Sequence, residues 1–233
     1  MEVRHASEAL IEPLNAEDLN LQGMADASPP KWHLAHTTWF FETFVLKPHH
    51  DDYVPADPRW GYLFNSYYEA VGPRQPRPQR GLLSRPPMNE VSAWRKRVNH
   101  ALEQLLERNP EAPWLDLVEL GLHHEQQHQE LMLMDLLDGF SRQPLEPAYR
   151  SDWCDQFDDQ PITSGNTTDP QTHEPWLDCR GGLVEVGHSG DAFHFDNEGP
   201  RHRTWLDPFS IASQLVSNGA YKRFIDDGGY ERP

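Results

Sequence analysis

Two histidines four residues apart, His124 and His128, stand in the run His123-His124-Glu125-Gln126-Gln127-His128-Gln129-Glu130, which leads into Leu131-Met132-Leu133-Met134. On a helix that spacing offsets the two side chains by roughly 40° around the axis and ~6 Å along it. Both imidazoles can then reach one cation from a single face. Metal binding needs neutral imidazole, a form available near pH 7. Leu117, Gly121, His124, His128, Leu131 and Asp135 alternate steps of four and three, the repeat of a buried bundle seam. An inward-facing imidazole without a partner is costly, so the pair reads as two metal ligands. Gly121, one turn before His124, leaves room where a large side chain would crowd a ligand. His123 points about 100° away from His124 and reads as solvated.

A catalytic metal site commonly has three protein ligands and keeps open positions. The third ligand must come from another helix. His36 lies on an apolar face with Trp32, Trp39 and Phe40, and His33, one turn earlier, competes with it. The run His124-Glu125-Gln126-Gln127-His128 also fits the H-E-x-x-H of zinc metalloproteases, with Glu125 as general base. The longer protease signature needs Gly at position 131 and His at position 134, where this chain has Leu131 and Met134. Glu125 therefore reads as a structural or solvated carboxylate rather than a base.

Helices must position these residues. Ser28-Pro29-Pro30 supplies a cap and a first-turn proline for a helix over 31–46. A shorter helix is expected over 63–70, and 72–87, rich in Pro and Arg, reads as loop. The apolar residues Val91, Trp94, Val98, Ala101, Leu102 and Leu105 predict a helix over 90–108. The histidine pair sits on a helix over 114–137 that ends near Gly139. The expected fold is mainly α, a four-helix bundle over 1–140, which commonly builds metal sites from facing helices. Residues 141–175 are acidic and scattered with Pro, Gly, Ser and Thr, the pattern of a linker. In 176–233 the alternation of 182–186 predicts a strand, 203–211 a second, and Asn218 caps a helix through Ile225, stopped at Gly228-Gly229. So short a stretch of strands and one helix reads as the beginning of a larger domain.

The bulk properties exclude several classes. The 233 residues carry a formal charge of −17, which argues against a nucleic-acid or anionic-membrane surface. No apolar run approaches the ~20 residues that span a bilayer. The first fourteen residues mix Glu, Arg, His and Pro and lack the apolar core of a signal peptide. The two cysteines, Cys154 and Cys179, are expected as free thiols in a reducing cytoplasm.

Several motifs in register carry a resemblance. Ser28-Pro29-Pro30-Lys31-Trp32-His33-Leu34-Ala35-His36-Thr37-Thr38-Trp39-Phe40-Phe41-Glu42 resembles the first helix of the ergothioneine-biosynthesis sulfoxide synthases, the EgtB family. Leu63-Phe64-Asn65-Ser66-Tyr67-Tyr68-Glu69, Arg77-Pro78-Gln79-Arg80-Gly81-Leu82-Leu83-Ser84-Arg85-Pro86 and His124-Glu125-Gln126-Gln127-His128 follow in the family's order. Phe195-Asp196-Asn197-Glu198-Gly199-Pro200 and Phe224-Ile225-Asp226-Asp227-Gly228-Gly229-Tyr230 resemble the start of a sulfatase-modifying-factor-like domain. The resemblance implies a DinB-like metal-binding bundle over 1–140, a linker over 141–175, and over 176–233 an incomplete α+β sulfatase-modifying-factor-like (C-type-lectin-like) domain. It implies non-haem Fe(II) held by His36, His124 and His128. The implied reaction uses oxygen to join the sulfur of γ-glutamylcysteine or cysteine to N-α-trimethylhistidine, giving a sulfoxide. Three neutral ligands leave the 2+ charge uncompensated, which favours a thiolate. Arg77 and Arg80 fall at the family's arginine pair, a guanidinium clamp for the thiol's carboxylates. Gln127 falls at a residue lining the trimethylhistidine site.

One departure stands out. The family's second domain is much longer and supplies a catalytic tyrosine, for which neither Tyr221 nor Tyr230 matches; no catalytic residue beyond the metal ligands is assigned here. The chain is therefore expected to be a truncated form. The competing functions are a non-catalytic metal-binding fragment and a DinB-type metal-dependent thiol transferase using zinc or nickel.

Overall fold

The computed structural model describes residues 1–151 and 176–232, which fall into two compact units with separate architectures. The first unit is a helical bundle. Its helices are α1 (Glu2–Ile11), α2 (Pro30–Phe41), α3 (Lys47–His49), α4 (Trp60–Phe64), α5 (Met88–Arg108) and α6 (Leu115–Ser141). The four that pack side by side are α1, α2, α5 and α6.

Helix α2 is the axis of the bundle. Pro30 takes its first position, where a missing N–H costs nothing, and all 12 of its residues are buried. A helix covered all round must be surrounded, and α1, α5 and α6 supply the surround. Trp32, Trp39, Phe40 and Phe41 of α2 pack with Val91, Trp94, Val98, Leu102 and Leu105 of α5 in one core. Beyond Phe41 the helix widens into a π turn, Glu42–Leu46, before α3. The Glu42 carboxylate is buried there and accepts from Tyr53 Oη at 2.6 Å, Trp94 Nε1 at 2.9 Å and the Ala56 N–H at 3.0 Å.

The helix expected over 63–70 is corrected. It spans Trp60–Phe64 and stops because Asn65 turns extended and spends its amide on the carbonyls of Tyr68 and Gly72. A 3₁₀ turn, Glu69–Val71, follows, and a second, Arg77–Leu82, lies within the stretch 72–87 expected as loop. The early stop leaves the last carbonyls of α4 without helical donors. Trp32 Nε1 takes that of Leu63 at 3.0 Å, and His36 Nδ1 takes that of Phe64 at 2.6 Å.

The seam of α6 is also corrected. Its buried residues are Gly121, Glu125, Met132, Leu136, Gly139 and Phe140, while Leu117 is exposed and Leu131 only partly buried. The burial has rotated toward Glu125 because α1, a helix not expected over 2–11, packs along that side of α6. The space at Gly121 is filled by aromatic rings rather than left open: a Cβ there would lie 2.7 Å from Phe41 and 2.8 Å from Phe40. Helix α6 also runs through Gly139 to Ser141, with the Leu21 side chain filling the place of a Gly139 Cβ.

Four helices meet at the Glu125 carboxylate. Arg4 of α1 donates to Oε2 at 2.6 Å, and Ser7 of α1 donates to Oε1 at 2.6 Å. Arg95 of α5 pairs with Oε1 and reaches the Arg4 carbonyl at 2.8 Å. Both guanidinium groups donate to the Thr38 hydroxyl of α2. Arg4 also donates to Asn99 Oδ1, and Gln129 donates to Ser7 Oγ at 2.9 Å and to the Val3 carbonyl at 2.8 Å. Arg4, Arg95 and Glu125 are each at most 1 % exposed. Burial raises the Glu125 carboxyl, but Arg4 and Arg95 outweigh it and hold it below its ordinary value.

In the second unit β1 (Trp176–Cys179) pairs antiparallel with β4 (Phe209–Ala212), and β2 (Gly182–Val186) with β3 (His202–Leu206). The single strand expected over 203–211 is two, because Pro208 has no N–H to give a ladder. Helix α7 (Asn218–Asp226) is capped by Ser217, not Asn218: its hydroxyl accepts from the Ala220 N–H at 3.2 Å. None of this unit's described residues is buried, and Trp176, Leu183, Trp205, Ile211 and Phe224 are exposed. Cys179 is a free thiol; Cys154 and most of the expected linker lie outside the described residues. Residues 142–151 run back onto the bundle, where Tyr149 Oη donates to the Leu10 carbonyl at 2.6 Å. No helix among the described residues is long and apolar enough to cross a membrane.

Replacing Arg4 by Leu leaves Asn99 and Glu125 each one donor short in a dry site. Equilibrium urea unfolding is expected to show a loss of about 3–5 kcal/mol. A loss below about 1 kcal/mol would mean that α1 is not integral to the bundle.

Candidate metal centre

His36 of α2 faces His124 and His128 of α6, and one ring nitrogen from each lies within 4.8 Å of the other two. His36 is 1 % exposed, whereas His124 and His128 are partly exposed, so the cluster has one accessible side. The His36 ring is fixed from both faces. Trp32 stacks at 4.7 Å with a 12° tilt, and Trp39 at 5.5 Å with a 16° tilt. Phe40 packs on His124 at 5.0 Å between centroids. Two of the aromatics that the sequence reading used to mark an apolar face thus serve as walls that hold one imidazole.

The hydrogen bonds set which nitrogens are bare. His36 Nδ1–H donates to the Phe64 carbonyl, which leaves Nε2 as the lone-pair atom. That Nε2 stands 3.3 Å from His124 Nε2. Imidazole–metal bonds of about 2.0–2.1 Å put neighbouring ligand nitrogens roughly 3.0–3.4 Å apart, so this gap suits two ligands of one ion. His124 Nδ1 is buried without a partner. His33 Nδ1 lies 2.8 Å from His128 Nδ1, which leaves His128 Nε2 for the cluster. The donor set of three imidazoles and no carboxylate fits a divalent transition metal.

The electrostatics keep the cluster neutral. Burial first, then His124, hold His36 well below its ordinary 6.5, against the pull of the Phe64 carbonyl. Burial, then His36 and His33, do the same for His128. Burial brings His124 down to about 4. Neutral rings crowded with their lone pairs converging are poor company for one another and good company for a cation.

Of the other sequence-marked residues, Arg80 is close to this centre. Its guanidinium lies 3.4 Å over the Trp32 ring, on the indole that stacks on His36. It donates to Ser28 Oγ at 2.9 Å and to Ser66 Oγ at 3.4 Å, and its Nε has no partner. Burial, then Arg77, brings Arg80 down to about 10, so it remains charged at neutral pH. Arg77 lies in the same 3₁₀ turn, its guanidinium 6.0 Å from the Tyr67 ring, its buried Nε also without a partner. Among the described residues no carboxylate pairs with Arg77 or Arg80. Gln127 is exposed on α6. His33, read as a competitor for the third ligand, stands outside the triad and behind His128. Asp135, which accepts from His33 Nε2 at 3.1 Å, went unassigned although it lies on the histidine face of the seam. Glu125 proves structural: both its oxygens are saturated by Arg4, Arg95 and Ser7.

A histidine whose pKa is depressed on folding stabilises the fold above its unfolded value and loses that contribution as pH falls through the folded one. The metal-free chain should therefore lose unfolding free energy as pH falls below about 6.5, the His124 part persisting to about 4. Urea titrations at pH 7.5, 6 and 5 check this, and a flat profile would contradict neutral, buried rings.

Comparisons with known proteins agree with this architecture. Residues 2–132 match the DinB superfamily, and residues 162–232 match the sulfatase-modifying factor enzyme 1-like domain. Hercynine oxygenase of Mycolicibacterium thermoresistibile is 29% identical over 210 residues, covering 88% of this chain and 42% of that protein. The chain spans less than half the length of this relative. It belongs to the DinB superfamily, and the two domain matches in this order, with that relative, support its assignment to the EgtB family.

Proposed function

We propose that this chain is the iron-binding part of a sulfoxide synthase of ergothioneine biosynthesis, with Fe(II) held by His36, His124 and His128. The convergence of three neutral imidazoles at one accessible point carries the reading. The relative's name supports the substrate, since hercynine is N-α-trimethylhistidine. The thiol partner is γ-glutamylcysteine or cysteine, and oxygen is the oxidant. In this reading 1–140 is the metal-binding bundle, 141–175 a linker, and 176–233 the start of the second domain.

When bound, the ferrous ion supplies redox and Lewis-acid chemistry and a place where the partners meet. The chain's own residues do the arranging. Phe64 and the two indoles hold His36 in one tautomer and one plane. Arg77 and Arg80 each keep a buried Nε–H without a partner and have no carboxylate beside them among the described residues, and a carboxylate of the thiol substrate is the partner that guanidinium forks suit. Arg80 is pinned by Ser28, Ser66 and Trp32, so it offers a preorganised donor with little entropy left to lose. Gln127, exposed on the same helix, is assigned to the trimethylhistidine side by the family resemblance alone.

The test is anaerobic loading of the chain with Fe(II), then oxygen with N-α-trimethylhistidine and each thiol, followed by mass spectrometry. Sulfoxide formed by the wild type and absent in His128→Ala is the expected result. Stoichiometric iron with no product would overturn the synthase activity of this chain and leave a metal-binding domain. In an active preparation, Arg77→Ala should cost about 1.5–3 kcal/mol, roughly 10- to 100-fold in kcat/KM for the thiol, with the trimethylhistidine KM unmoved. Equal losses for both substrates would remove Arg77 from the clamp.

A further inference from the structure

The polar groups behind His128 form a directed chain. A carboxylate only accepts, and Asp135 Oδ2 takes two donors: the Ser28 backbone N–H at 2.8 Å and His33 Nε2–H at 3.1 Å. A neutral His33 protonated on Nε2 has a bare Nδ1, and this atom faces His128 Nδ1 at 2.8 Å. The proton in that contact belongs to His128, so its Nε2 is bare. The three links join residues 95 to 107 positions apart in sequence, across α2, α6 and the turn before α2. His33 is 2 % exposed, and both its nitrogens are engaged, so it is not a fourth ligand.

We propose that His33 and Asp135 are positioning residues of the metal centre, which act through His128 by fixing its Nδ1–H tautomer and ring orientation. The inference rests on the reading of the His36/His124/His128 cluster as a metal site. The same chain explains why the buried His33 imidazole is tolerated: both of its nitrogens are paired, one to Asp135 and one to His128. Ser28 is a shared joint, since its N–H holds Asp135 while its hydroxyl holds Arg80.

The opposing account is that His33 only fills space beside Trp32, whose ring it meets edge-on at 5.7 Å. The two accounts order a pair of variants oppositely. In His33→Asn, Oδ1 stands near the place of Nδ1 and can still accept from His128; in His33→Leu the volume is kept and the acceptor is lost. Co(II) titration of the full chain, read by its visible absorption, is the measurement, with far-UV circular dichroism to establish folding. We expect His33→Leu to weaken Co(II) binding roughly 10- to 100-fold and shift the spectrum, and His33→Asn to bind within a few-fold of wild type. Leu binding as well as or better than Asn would overturn the inference. Asp135→Asn, nearly isosteric, is the second variant, expected to weaken Co(II) by removing the charge that makes the chain basic. Unchanged affinity and spectrum there would overturn it as well. A wild type that binds no Co(II) would instead overturn the metal reading on which the inference rests.

Discussion

Glu125 carries a carboxylate into the middle of four helices, where water cannot solvate it. Such a charge is tolerable only if its oxygens are saturated, and Arg4, Arg95 and Ser7 saturate them. Arg95 then needs acceptors on α2, Arg4 needs them on α2 and α5, and the geometry of each helix is tied to the others. Buried ion pairs add little net stability over apolar packing, but breaking one by removing a partner is expensive. Their effect here is on register: a slide of α6 along α2 by one turn would part Glu125 from both guanidinium groups and leave Arg4 without a carboxylate, while Arg95 would keep only Glu8. The residue just before Glu125 is His124, so the same constraint that sets the register of α6 sets the height at which its histidines meet His36.

Around that fixed register the site is built by termination as much as by packing. Helix α4 ends at Phe64, and the carbonyls it leaves unpaired are the acceptors that orient Trp32 and His36. Helix α2 is preceded by Ser28, whose backbone and hydroxyl meet a carboxylate from α6 and a guanidinium from the Arg77–Leu82 turn. Orphaned groups at helix ends have to be paired somewhere, and here they are paired with the functional side chains. His36 and the Trp32 indole stacked on it are held in place for that reason, by contacts that do not depend on a bound ion.

What was legible in the sequence follows from which forces leave a local pattern. The four-residue spacing of His124 and His128 and the aromatic neighbours of His36 are local, and all three residues meet. The helix expected over 63–70 ends at Phe64 because the Asn65 amide contacts that stop it depend on a turn closing at Gly72. The docking of helix α1 is not legible because its buried residues are Arg4 and Ser7, polar groups whose partners lie 95 to 121 residues away. The same kind of distance separates His33 from Asp135, 102 residues on, so the sequence offers His33 only as a competitor to His36. Hydrophobic periodicity reports apolar burial, and this bundle buries much of its α1–α6 contact as charge.

Fe K-edge X-ray absorption of the chain loaded anaerobically with one equivalent of Fe(II) bears most directly on the central claim. The account predicts three imidazole ligands with nitrogen at about 2.1 Å and the outer-shell scattering that histidine rings give. The remaining positions should be light atoms from solvent. A spectrum with no imidazole scattering, or with iron held by carboxylate oxygens alone, would contradict it.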